Sequence, residues 1–160
     1  MIRLKTAVML GACLKSGAII GGAGESDLQN LYDFGIGLGI AFQIKDDWLD
    51  IYGNPNIFGK KTGGDILCNK KTFLLVTALE TANKEDKETL LYWLNSDTQS
   101  EKKINAVRQL YDKLSIKEKT QKVLQHYYHQ STSALQNVSI DSTRKKILED
   151  IAGDLIKREF

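Results

Sequence analysis

Apolar side chains recur at spacings of three and four along most of the chain, and a single proline interrupts them, so the sequence predicts a nearly all-helical protein. A first helix is expected over residues 4–20, stopping in "GGAG", a run suited to a helix end and turn. Ser26 with Gln29 reads as a capping box for a second helix that continues to about residue 52. Gly35, Gly37 and Gly39 lie inside it. Each glycine weakens a helix by about 1 kcal/mol relative to alanine, so the three call for close approach of another helix or of a ligand. "GNPNIFGKKTGGDILCNK", residues 53–70, holds the proline and four glycines and reads as a loop of the length that usually carries function.

Helical spacing resumes at about Lys70 in "KKTFLLVTALETA" and again in "KETLLYWLN". Ile104, Val107, Leu110, Tyr111 and Leu114 share one face of the next helix. Ser115 with Glu118 suggests a second capping box. The last helix, residues 142–158, is expected to turn Ile147, Leu148, Ile151, Leu155 and Ile156 inward. No repeat and no linker is visible, and residues 1–160 read as one domain or part of one.

Composition narrows the class. The 160 residues are 42% hydrophobic and 26% charged, the balance of a globular domain. A net charge of +2 gives no reason to expect nucleic acid. The uncharged, mostly apolar run from Phe34 to Ile44 is too short to span a bilayer. Cys13 and Cys68 fit reduced thiols, and "AVMLGACLKSGAIIGGAG" is broken by Lys15 and is not a secretory signal, so a cytoplasmic location is expected.

Chemistry concentrates in "FQIKDDWLD". Asp46 and Asp50 lie four apart on a helix and Asp47 lies three before Asp50, so the three carboxylates share a broad face, with Gln43 a turn earlier. Two such charges about 6 Å apart repel by about 3 kcal/mol at an effective dielectric near 20, which calls for a cation. Hard oxygen ligands suit magnesium, which is commonly shared between carboxylates and substrate phosphates. A solvated helix end with incidental acids is the alternative. The loop that follows favours the metal: Lys60, Lys61, Lys70 and Lys71 flank Gly63 and Gly64, which allow close backbone approach. Acids on one side and ammonium groups on the other are what a magnesium-bridged diphosphate requires.

"GIAFQIKDDWLDIYG" followed by "GKKTGGDILCNKKT" resembles the C-terminal half of the trans-isoprenyl diphosphate synthases, the polyprenyl synthetases that include farnesyl and geranylgeranyl diphosphate synthases. "LKTAVMLGACLKSGAIIGG" resembles that family's preceding helix, which opens on a Lys-Thr pair. The resemblance runs the length of the chain. It implies an all-α helical bundle of the isoprenoid synthase type, here reduced to its C-terminal helices. It implies Mg2+ as cofactor, with Asp46, Asp47 and Asp50 as the second aspartate-rich motif: Asp46 directly on the ion, the others partly through water. Lys5 and Lys60 would contact the allylic diphosphate, with Lys70 nearby. Thr6 and Gln43 would lie beside the allylic carbons, and Phe42 would line the pocket wall. Asp65 matches an acidic position without a clear role, and Asn69 stands where bacterial relatives often have glycine.

The reaction implied is ionisation of an allylic diphosphate and attack on the resulting cation by isopentenyl diphosphate, with loss of a proton. The family's first aspartate-rich motif is not in the sequence. The expectation is therefore a portion of a synthase, inactive or nearly so by itself, with faces left to self-associate into a homo-oligomer. Two other readings stand beside it: a terpene cyclase or head-to-head condensing enzyme, disfavoured by the FQ-to-GK series, and a non-catalytic regulatory or diphosphate-binding subunit of a full-length synthase. His126 and His129 in "HYYH", the basic run Arg144–Lys146 and "EDKE" at 85–88 read as solvated helix surface. Cys13 and Cys68 are expected to serve core or loop packing.

Overall fold

A computed structural model describes residues 1–54, 62–96 and 100–158. The described residues with regular structure are helical, as the spacing predicts. A π-type turn, Arg3–Ala7, leads into α1 (Val8–Ile20), followed by α2 (Glu25–Tyr52), a short α3 (Gly64–Leu67), α4 (Phe73–Thr81), α5 (Lys84–Asn95), α6 (Glu101–Lys113), α7 (Ile116–Gln136) and α8 (Ser142–Lys157). They form two compact units, one of residues 1–45 and 123–158, the other of residues 46–122.

In the first unit Phe34, Leu38, Ala41, Ile44, Leu124, Leu135 and Ile156 are buried. The glycines of α2 serve helix contact. A Cβ on Gly35 would stand 2.6 Å from Gly11 Cα, and one on Gly39 2.6 Å from Ala7 Cα. Gly37 faces Ser131, whose hydroxyl donates to the Phe34 carbonyl at 2.8 Å. Of the two causes open from the sequence, helix approach accounts for these three. The other side of α1 and its lead-in leaves Leu4, Met9, Ile19 and Ile20 exposed. Among the described residues no helix is long and apolar enough to cross a membrane.

In the second unit Ile51, Ile66, Leu74, Leu75, Ala78, Leu90, Val107, Tyr111 and Ile116 form the core, with Ile104, Leu110 and Leu114 packed against it. The apolar face expected for α6 is therefore the one that packs.

Several local expectations are corrected. Ser26 lies inside the first turn of α2, whose first bond runs from Leu28 N to the Gly24 carbonyl, and Gln29 bonds Asp33 at 3.0 Å. Glycine at the cap needs no side-chain partner there. Ser115 does precede α7, its carbonyl accepting from Lys119 N, but at φ +55 instead of the extended backbone of a capping box. Helix α4 starts at Phe73, capped by Thr72, whose hydroxyl accepts from Leu75 N. In α8 Ala152 and Ile156 are buried, while Ile147 and Ile151 are exposed: the helix is apolar over a wider arc than this unit covers. Asp86 in "EDKE" is buried and bonded to Lys113 at 2.6 Å. Cys13 and Cys68 are free and exposed, so neither packs a core.

Candidate functional site

The acidic end of α2 is built by the glycine turn that follows it. Gly63 takes φ +89, a conformation that favours glycine, and its N–H donates to the Asp50 carbonyl at 2.6 Å. A Cβ on Gly63 would lie 2.7 Å from Ile104 Cγ2, and one on Gly64 3.3 Å from Asp50 Oδ1. With both positions bare, α3 begins against the carboxylate of Asp50, and the Asp65 N–H donates to Asp50 Oδ2 at 2.9 Å.

Asp65 then turns its own carboxylate to Lys70. The Lys70 ammonium lies 2.8 Å from Asp65 Oδ2 and 3.1 Å from Asp47 Oδ1. Asp47 is buried, on the stripe of α2 that carries Ile51. Burial alone would pull Lys70 down; its bonds to Asp65 and Asp47 outweigh that and hold the ammonium above the usual lysine range. Asp50 is shifted the other way. Burial pushes its carboxyl up, and the Asp65 N–H only partly opposes this. Lys70 thus stands with Asp47, and Asp65, which the resemblance left without a clear role, joins them.

The chemistry of this donor set fits a hard divalent ion. Asp46 and Asp50 lie one helical turn apart, half-buried, and the desolvated Asp50 carboxylate would gain from added positive charge. Among the described residues no group of three or more His, Cys, Asp and Glu side chains makes a ready metal cage. Magnesium does not need one, since it keeps waters and is completed by substrate phosphates.

A second set of predicted residues meets in the first unit. The contact of Gly39 with Ala7 draws the turn bearing Thr6 against α2, and the Thr6 hydroxyl donates to Gln43 Oε1 at 3.1 Å. Phe42, half-buried, carries the guanidinium of Arg158 at 4.1 Å from its ring centroid. Burial lowers the pKa of Arg158. Lys5 is exposed on the same turn as Thr6. Lys60, with Lys61, lies outside the described residues. A cavity of about 630 Å³ in this unit is lined by Asn30, Asp33, His126, His129 and Gln130, among others, and holds none of the predicted site residues.

Two polar residues near Lys70 were not foreseen as a pair. Lys103 is buried on α6 and donates to Asn69 Oδ1 at 2.8 Å. Its signal was available, since a lysine at 103 shares the stripe of Val107 and Tyr111, four and eight residues on.

The model of the polyprenyl synthetase family matches residues 1–113. Over 159 residues the chain is 33% identical to a short chain isoprenyl diphosphate synthase of Methanothermobacter thermautotrophicus, covering 99% of this chain and 48% of that protein. Among solved structures, geranylgeranyl pyrophosphate synthetase from Pyrococcus horikoshii superposes with a TM-score of 0.91 at 29% identity, over 99% of this chain and 48% of that one. Geranylgeranyl pyrophosphate synthase from Corynebacterium glutamicum, complexed with isoprenyl diphosphate and magnesium, does so with 0.86 at 28% identity, over 98% and 44%. The chain spans about half the length of the curated relatives first matched.

Proposed function

Since this chain belongs to the polyprenyl synthetase family, we propose that it is the part of a magnesium-dependent prenyltransferase that grips the allylic diphosphate, to be condensed with isopentenyl diphosphate. The observation that carries this reading is the Lys70 bridge between Asp47 and Asp65, beside the half-buried Asp46 and Asp50. Acids and ammonium stand together there, as a metal-bound diphosphate requires.

In this reading Asp46 holds the ion directly, and Asp47 and Asp50 hold it partly through water. Magnesium, when bound, would neutralise charge on the departing diphosphate. An ammonium has three protons, and Lys70 commits two of them to Asp47 and Asp65, leaving one for a phosphate oxygen. Lys5 and Lys60 are the further diphosphate ligands. Gln43, oriented by the Thr6 hydroxyl, lies beside the allylic carbons with Thr6, and Phe42, stacked under Arg158, forms the apolar wall. These groups stabilise charge that develops as the leaving group departs, the interaction that most often dominates rate enhancement.

The chain supplies one aspartate-rich cluster, and we propose that its condensation activity alone is absent or trace. The exposed Leu4, Met9, Ile19 and Ile20 support association into a homo-oligomer. Light scattering that found a monodisperse monomer would count against that. The grip itself is tested by thermal denaturation: magnesium and geranyl diphosphate together should raise the melting temperature, while neither does so alone. A rise with geranyl diphosphate in the presence of a chelator would reject the metal-bridged site. A non-catalytic diphosphate-binding subunit predicts the same rise. Radiolabelled condensation with dimethylallyl, geranyl and farnesyl diphosphates, run with and without a full-length synthase, separates the two.

A further inference from the structure

Lys103 is only 1% exposed, and its ammonium meets two neutral oxygens among the described residues, Asn69 Oδ1 at 2.8 Å and the Ser96 carbonyl at 3.3 Å. A buried ammonium held by neutral oxygens is costlier to keep than a methionine or leucine of similar size. Core stability gives no reason for it. What it holds does.

Asn69 takes φ +50, the left-handed region that asparagine enters more readily than other side-chain-bearing residues. Its amide is gripped at both ends: Oδ1 accepts from Lys103, and Nδ2 donates to the Leu94 carbonyl at 2.9 Å. The next residue is Lys70. Its N–H donates to the Asp65 carbonyl at 2.9 Å and its carbonyl accepts from Thr72 N at 2.8 Å. Its side chain leaves from this fixed point to reach Asp47 and Asp65. The turn at 69 therefore sets the direction in which the Lys70 side chain departs.

We propose that Lys103 is a positioning residue: by holding Asn69 it locks the left-handed turn that aims Lys70 at Asp47 and Asp65. It thereby shapes the acid cluster for its ligand. The ligand, a metal-bound diphosphate, rests on the function proposed above; the lock does not.

The test uses the whole chain with isotope-labelled lysines. The ammonium resonance of Lys70 is identified by its loss in Lys70→Met. It should move in Lys103→Met and likewise in Asn69→Gly, which keeps the backbone free to adopt positive φ and removes only the grip. Calorimetry with magnesium and inorganic pyrophosphate should show affinity about tenfold weaker in both variants, the range typical of residues that orient ligand groups from behind. Adding Lys103→Met to Lys70→Met should cost nothing further. A merely structural Lys103 would lower the melting temperature yet leave the Lys70 resonance in place, and that result overturns the proposal. If the parent chain fails to bind magnesium pyrophosphate, the functional reading falls and the Lys70 resonance still decides the lock. Should Lys103→Met fail to fold, Asn69→Gly decides it alone.

Discussion

The ammonium of Lys70 stands 3.1 Å from Oδ1 of Asp47, a carboxylate 23 positions earlier in the chain and almost wholly buried. That contact joins the end of α2 to the turn that leads into α4, three residues before Phe73. A buried carboxylate tolerates ionisation when a cation or a set of donors meets it. The chain itself thus supplies one cation to this run of acids.

Replacing Lys70 by methionine removes the ammonium from Asp47 and Asp65. Lys70 is more than a third exposed, so the loss falls below that of a fully buried pair, at about 1–3 kcal/mol. Urea denaturation should show this, with part recovered in Lys70→Met/Asp47→Asn. A single variant as stable as the parent would mean the pair contributes nothing.

Alanine at Gly35 or Gly39 should destabilise by about 1–3 kcal/mol in spite of its better helix propensity, because overpacking outweighs it. The added methyl would meet backbone atoms of Gly11 or Ala7, which cannot rotate aside. Gly17 has nothing within 4 Å of a Cβ, so Gly17→Ala should be neutral or stabilise by up to about 1 kcal/mol. Thermal melts of the three variants test the contrast.

Thr72→Ala should cost about 1 kcal/mol by leaving the Leu75 N–H without its cap, and Thr72→Ser should restore most of it. Equal stability of the alanine and serine variants would contradict the capping role.

The Lys113–Asp86 bond makes a pH-dependent contribution. The hydrogen bond to Asp86 raises Lys113 above its ordinary 10.5. A lysine raised on folding stabilises fully below its unfolded pKa, and that contribution is lost as pH rises through the folded value. The melting temperature of the parent should therefore exceed that of Lys113→Met at pH 8, with the gap closing as pH rises beyond the ordinary lysine value and through the raised folded one. A gap unchanged across that range would rule the bond out as its source.

How much of this was legible in the sequence follows from what each signal depends on. Helix existence was legible because spacings of three and four are local, and the α6 face of Val107 and Tyr111 packs as read. Partners distant in sequence were not. Ser26 looked like a cap, but Gly24 supplies the first carbonyl of α2. Ile147 and Ile151 matched an inward stripe, yet which arc of α8 is covered depends on neighbours that periodicity does not name. Thr6 and Gln43 were named together by resemblance, but their hydrogen bond, which the packing of Gly39 on Ala7 permits, was not foreseen. Asp65 and Asn69 were noted by resemblance without a defined role, since their roles come from contacts with Asp50, Lys70 and Lys103.

Asp46, Asp47 and Asp50 are proposed to hold a divalent ion that binds a diphosphate. Isothermal titration of inorganic pyrophosphate into the chain, with and without magnesium, tests it most directly. Binding should require magnesium and disappear in Asp46→Asn/Asp50→Asn while the helical circular dichroism is retained. Binding of equal strength without magnesium, or undiminished in that folded double variant, would contradict it.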